Sequence, residues 1–206
     1  MIPLYDESRF KNKKPWAVFF LVVLNIIIFL ASFQNLGEFI GKYGLVPQDF
    51  LSSRNNFTVF SSLFLHADFL HLLGNMWFLW IFGNNVERKI GSVKFLFFYL
   101  ICGLGAAFMY SFAAINKEIP VIGASGAVGG ILGAYLIFFP RNKIKSIVPL
   151  FIIWTIISVP SSFFILAWFV LQFASLIFSS NNMVAYWGHI GGFITGFLMA
   201  KILKFF

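Results

Sequence analysis

The run Trp16–Phe33 holds about 18 residues without a single charge, and nothing else constrains this chain as strongly. In lipid such a segment needs only to close its own backbone hydrogen bonds, which a helix of about 20 residues does across the hydrocarbon core. The basic front Arg9, Lys11, Lys13 and Lys14 gives it the look of a signal peptide. The apolar run is longer than a usual signal core, however, and no small-x-small cleavage site follows, so it reads as a retained first helix. Five more stretches follow, and the expected spans are Pro15–Phe33, Ser62–Asn84, Val93–Ala114, Ser125–Phe139, Pro160–Phe178 and Ala185–Phe206. With 60% apolar and 11% charged residues, against about 25% charged in soluble domains, the expectation is an all-α polytopic membrane protein. Residues 1–14 form a cytoplasmic tail in this reading, and 15–206 form one six-helix membrane domain.

Two segments do not fit the ruler. Leu36–Phe60 mixes Gly37, Glu38, Lys42, Pro47, Asp49 and Arg54 with Phe and Leu, which suits an interfacial element over about 36–60. The stretch Ile144–Val159 is apolar but short, and is open to three readings: a re-entrant piece, an interfacial piece, or part of a long kinked fifth helix.

A formal net charge of +8 suggests nucleic acid at first sight. The basic residues, though, are scattered between apolar runs and share no face, so they read as topology signals and no nucleic-acid partner is expected. With the N-terminus inside, all of the fifteen except Lys42, Arg54 and Lys117 fall on the cytoplasmic side. Both termini are therefore expected in the cytoplasm. The single cysteine, Cys102, has no partner for an intrachain disulfide and reads as a small buried hydrophobe.

In this topology the second, fourth and sixth helices start at one level, and their first turns carry the polar intramembrane residues. These are His66, His71 and Asn75, then Ser125, then His189. Ionisable groups within spans are costly and mark functional sites by default. Gly126, Gly129, Gly130 and Gly133 on the fourth helix, with Gly188, Gly192 and Gly196 on the sixth, form the small-xxx-small pattern that lets two helices touch. His189, Gly192 and Gly196 share one face, which turns His189 toward Ser125. A serine becomes a nucleophile when a neutral histidine takes its proton. No Asp or Glu is near His189 in sequence, so a Ser125–His189 dyad is the economical reading. His71 and Asn75, an i, i+4 pair, with the Ser125 backbone N–H, form a candidate oxyanion hole. His66 is expected at the rim. The cluster Gly83, Glu87 and Arg88 reads as structural.

The ordered motifs His66-x4-His71-x3-Asn75, Gly83-x3-Glu87-Arg88, Gly123-Ala124-Ser125-Gly126 and Gly188-His189-x2-Gly192 resemble those of the rhomboid intramembrane serine proteases, from about Leu45 to Phe197. The resemblance implies a six-helix core with a water-filled cavity open to the non-cytoplasmic side. It also implies Ser125 as nucleophile, His189 as general base, and His71 and Asn75 in the oxyanion region. Two positions depart from the pattern. Gly129 stands where some members place an aromatic ring against the histidine, and Ser53-Arg54 stands where some carry Trp-Arg, leaving Phe50, Phe57 and Phe60 as lipid anchors.

The expected activity is an endopeptidase that cuts single-pass transmembrane substrates near the non-cytoplasmic face of the bilayer. No cofactor is expected, and no metal site is read from the three histidines. A catalytically silent binding or chaperone-like relative is the alternative, although both Ser125 and His189 are present. A transporter would be expected to show inverted repeats, and none is visible. Small size, a short N-terminal tail and no transit peptide point to a prokaryotic cytoplasmic membrane.

Overall fold

The computed structural model describes residues 1–7, 14–150, 153–178 and 185–205. Arg9, Lys11, Lys13 and Phe206 lie outside them. Helices overlap each of the six expected spans, but the second runs from Phe69 to Ile90 rather than over Ser62–Asn84. The first, α1 (Trp16–Ser32), does not stop at Phe33 but passes through a 3-10 turn, Phe33–Asn35, into α2 (Leu36–Tyr43). Neither proline nor a left-handed residue interrupts it there, and it ends only at the extended Gly44. The first part of the expected interfacial segment is thus a continuation of the first helix. The rest folds as two short helices, α3 (Pro47–Leu51) and α4 (Thr58–Ser61). Phe57 and Phe60 are exposed there, whereas Phe50 packs inward near Leu45 and Val59.

The second helix begins at α5 (Phe69–Phe78), widens into one π-helical turn at Leu79–Gly83, and ends as α6 (Asn84–Ile90). Next come α7 (Ser92–Ala113), α8 (Ser125–Phe138), α9 (Ser161–Phe178) and α10 (Tyr186–Phe205). Among the described residues, Trp16–Tyr43, Ser92–Ala113 and Ser161–Phe178 are long and apolar enough to cross a membrane on length and composition alone.

The helical expectation omitted a sheet. Two strands stand in the short apolar stretch before α9, β2 (Lys143–Leu150) and β3 (Ile153–Pro160), paired antiparallel from Lys143 opposite Pro160 to Leu150 opposite Ile153. The stretch is dense in β-branched Ile, Val and Thr, which suit a pleated surface better than a helix. Within the expected N-terminal tail, β1 (Ile2–Asp6) adds a third strand to β2, with Ile2 opposite Ile147 and Asp6 opposite Ile144. The sheet is fastened to the bundle. The Asp6 carboxylate accepts from the Tyr135 hydroxyl at the far end of α8 and from Asn85 Nδ2 on α6, while Trp77 Nε1 donates to the Pro3 carbonyl at 2.7 Å.

Glu87 is structural, as expected. Its carboxylate is buried and accepts the Ala17 and Val18 N–H groups at 2.8 and 2.7 Å, capping the start of α1 from α6. Those amides have no preceding turn to bond, so Glu87→Gln, which turns one acceptor into a donor, should cost about 1–3 kcal/mol. The expected readout is a lower thermal midpoint in detergent.

The centre of the bundle is the α8/α10 seam. A Cβ at Gly192 would run into the backbone of Gly126, and one at Gly196 into the backbone of Gly130. Helices this close gain van der Waals contact along their whole length, which is what holds helices together in lipid.

Candidate active site

Ser125 is the first residue of α8, so its N–H and those just after it have no preceding helical turn to bond. The segment leading to it is fixed from outside. Leu45 and Val121 exchange two backbone hydrogen bonds of 3.0 and 2.8 Å, and the Gly123 N–H donates to the Ser62 carbonyl at 2.9 Å. Gly123 has φ +119°, a value natural only to glycine.

The absent side chain at Gly123 leaves room that two polar groups use. A Cβ there would sit 2.7 Å from His71 Nε2 and 3.7 Å from Asn75 Nδ2. Both therefore reach the backbone just ahead of Ser125. His71 is held by its own helix start: Asp68 caps α5 by accepting the His71 N–H at 2.8 Å, and His71 Nδ1 accepts the Ala67 N–H at 3.3 Å. An Nδ1 that accepts leaves the proton on Nε2, so the group beside Gly123 is a donor. Asn75 lies one turn further on, buried, and its Nδ2 has no partner. A buried amide donor without an acceptor is costly to keep and is free to receive an oxygen. Asp68 was not singled out from sequence, although Asp three residues before His71 is an N-cap signal.

His66 is not at a rim. It precedes α5, is fully buried, and meets His71 edge to face with ring centroids 5.0 Å apart.

Ser125 and His189, both half-buried, line one open cavity. Ser62, Tyr110, Gly123 and Gly188 also line it. Among the described residues no hydrogen bond joins Ser125 to His189. Such bonds are often long before substrate arrives.

The His189 ring is enclosed on three sides. Trp168 of α9 lies 6.1 Å away between ring centroids, Tyr186 meets it edge-on at 6.2 Å, and His189 Nδ1 is 2.7 Å from Gln172 Oε1. The departure at Gly129 is explained here. A Cβ at that position would lie 2.9 Å from the His189 carbonyl oxygen and 3.5 Å from Trp168 Cη2. The indole beside the histidine thus comes from α9. Neither Trp168 nor Gln172 was anticipated, though Gln172 is an amide in an apolar span, the kind of residue that a membrane rarely tolerates without use. No cluster of three metal-ligating side chains occurs among the described residues.

Comparison with known proteins adds ancestry to this geometry. A family model described as the rhomboid domain matches residues 53–205. The chain is 29% identical to the mitochondrial Rhomboid protein 1 of Saccharomyces cerevisiae, over 93% of its own length and 54% of the relative's. Identity is 30% to the Rhomboid protease GluP of Bacillus subtilis, covering 96% of the chain and 37% of the relative. It is 28% to RHOMBOID-like protein 1 of Arabidopsis thaliana, covering 96% and 56%. The chain thus spans between 37% and 56% of the length of these relatives.

Proposed function

Because the chain belongs to the rhomboid family and is an integral membrane protein, we propose that it is a serine endopeptidase that cuts transmembrane substrates near the non-cytoplasmic face, with both of its own ends in the cytoplasm. The observation that carries this reading is the shared cavity: Ser125 at a helix start, His189 across from it, and an unpartnered Asn75 amide beside Gly123.

In the proposed reaction His189 Nε2 takes the Ser125 hydroxyl proton while Oγ bonds to the scissile carbonyl carbon. The carbonyl oxygen becomes an oxyanion that receives hydrogen bonds from the Ser125 N–H, His71 Nε2–H and Asn75 Nδ2. The intermediate collapses as the C–N bond breaks, and the amine leaves with the proton held by His189. Water then repeats the sequence on the acyl-enzyme, restoring Ser125 and freeing the carboxylate. A substrate helix has to open locally to present a carbonyl to this cavity, because intact helical carbonyls are bonded within the helix.

Asn75→Ala should lower kcat by about 10²-fold with little change in KM, since one donor of several is lost. Steady-state cleavage of a model substrate checks it.

The reading itself is tested by labelling detergent-solubilised protein with a fluorophosphonate probe and by incubating it with a single-pass substrate. Labelling at Ser125 together with cleavage supports the protease. A folded chain that takes no probe and cuts no substrate would sink this reading in favour of a silent binding relative.

A further inference from the structure

We propose that Gln172 is a positioning residue for His189, fixing its tautomer by accepting the Nδ1 proton and so leaving Nε2 free to act as a base toward Ser125. The inference rests on the protease reading for its consequence in catalysis, and on geometry alone for the tautomer.

An imidazole nitrogen 2.7 Å from an oxygen must donate to it, because an amide oxygen has no proton to give. That the oxygen, and not the amide nitrogen, faces the ring follows from the other end of the same side chain. Gln172 Nε2 donates to the Trp168 carbonyl one turn back, at 3.4 Å. Turning the amide over would set Oε1 against that carbonyl and a pair of N–H groups against His189 Nδ1. Trp168 and Gln172, four residues apart on α9, share one helix face, so one side of α9 supplies both the indole beside the imidazole and the acceptor at its Nδ1. The sequence around His189 offers no carboxylate for this task, and none of the hydrogen bonds made by His189 among the described residues goes to one. A neutral amide does in its place what a carboxylate does elsewhere for orientation. Unlike a carboxylate, it adds no charge to the span.

The test uses full-length protein in detergent, labelled with ¹⁵N-histidine. The chain has three histidines, so the His189 signals are identified by their loss in His189→Ala. The expected result is a neutral His189 protonated at Nδ1 in the wild type, and a mixed or Nε2-protonated ring in Gln172→Met, which keeps the length but removes the acceptor. Gln172→Met should also lower kcat by about 10- to 100-fold with KM changed less than about 2-fold. Gln172→Glu, which restores an acceptor, should recover kcat to within about 5-fold of wild type.

A wild-type His189 protonated at Nε2 overturns the proposal without recourse to any variant. So does a Gln172→Met protein that keeps both the Nδ1 proton and its kcat. Failure of the protease reading looks different: the tautomer depends on Gln172, yet the wild type cuts nothing.

Discussion

Ser125→Ala should give a protein that folds, inserts and cleaves nothing, with kcat/KM reduced by at least about 10⁴-fold, as is found when a nucleophilic serine is removed from its base. The loss should be confined to chemistry. Ser125 Oγ has no hydrogen-bond partner among the described residues, and the residue is half-buried and lines a cavity. Removing one oxygen there leaves no buried group unsatisfied and creates no void within a packed layer, so stability should change by no more than about 0.5 kcal/mol. Cleavage of a transmembrane substrate and thermal unfolding, measured on one preparation, separate the two quantities. Cleavage by purified Ser125→Ala at more than a few per cent of the wild-type rate would remove Ser125 from the mechanism. His189→Ala should be equally inactive but less stable, because it strands Gln172 Oε1 and takes a ring away from Trp168 and Tyr186.

Gly196→Leu should have the second large effect, and of the opposite kind. At this position even a Cβ would overlap the backbone of Gly130, and backbone within a helix cannot swing aside as a side chain can. Relief requires α10 to move away from α8, which would also open the distance between His189 and Ser125. Overpacking of a flexible core costs about 1–3 kcal/mol; a clash with backbone on both sides should exceed that and leave little monodisperse protein after detergent extraction. Gly74→Ala is the control. A Cβ at Gly74 meets nothing within 4 Å, and alanine in a helix interior is worth up to about 1 kcal/mol over glycine, so this variant should be as stable as the wild type or more so. Gly196→Leu behaving like Gly74→Ala would mean that the seam does not hold the bundle together.

What could be read from the sequence and what could not divides along the range of the interactions. Helix positions were legible because apolar length is a property of consecutive residues, and α7, α8, α9 and α10 begin and end within one residue of their expected bounds. Ser125, His189, His71 and Asn75 stood out because polar groups are rare in such runs; Ser125 and His189 line one cavity with Gly123, and His71 and Asn75 approach Gly123. The glycine ladder was legible for the same reason. The β2–β3 pair was not, since a short apolar run has no period that separates strand from helix, and β1 becomes a strand only through a partner more than a hundred residues away. Nor were the tertiary partners: Glu87 accepts from a helix-start amide 70 positions before it, and Gln172 meets His189 17 positions on. His66 was misplaced because its depth is set by where α5 begins. The Asp68 cap sets that start at Phe69, leaving His66 in the irregular stretch before it, buried with its ring against His71.

The tie between Asp6 and Tyr135 also sets an order of assembly. The two residues are 129 positions apart, and β1 pairs with residues of β2 that are made later still. As the chain is synthesised from its N-terminus, Ile2–Asp6 therefore waits, unpaired, while the membrane helices through α8 are made. Only after α8 has been made can Asp6 meet its hydroxyl, and only after β2 has followed can the strand find its ladder. The helix that carries Ser125 is consequently secured at its far end late in biogenesis, and the sheet records that the greater part of the chain has been made.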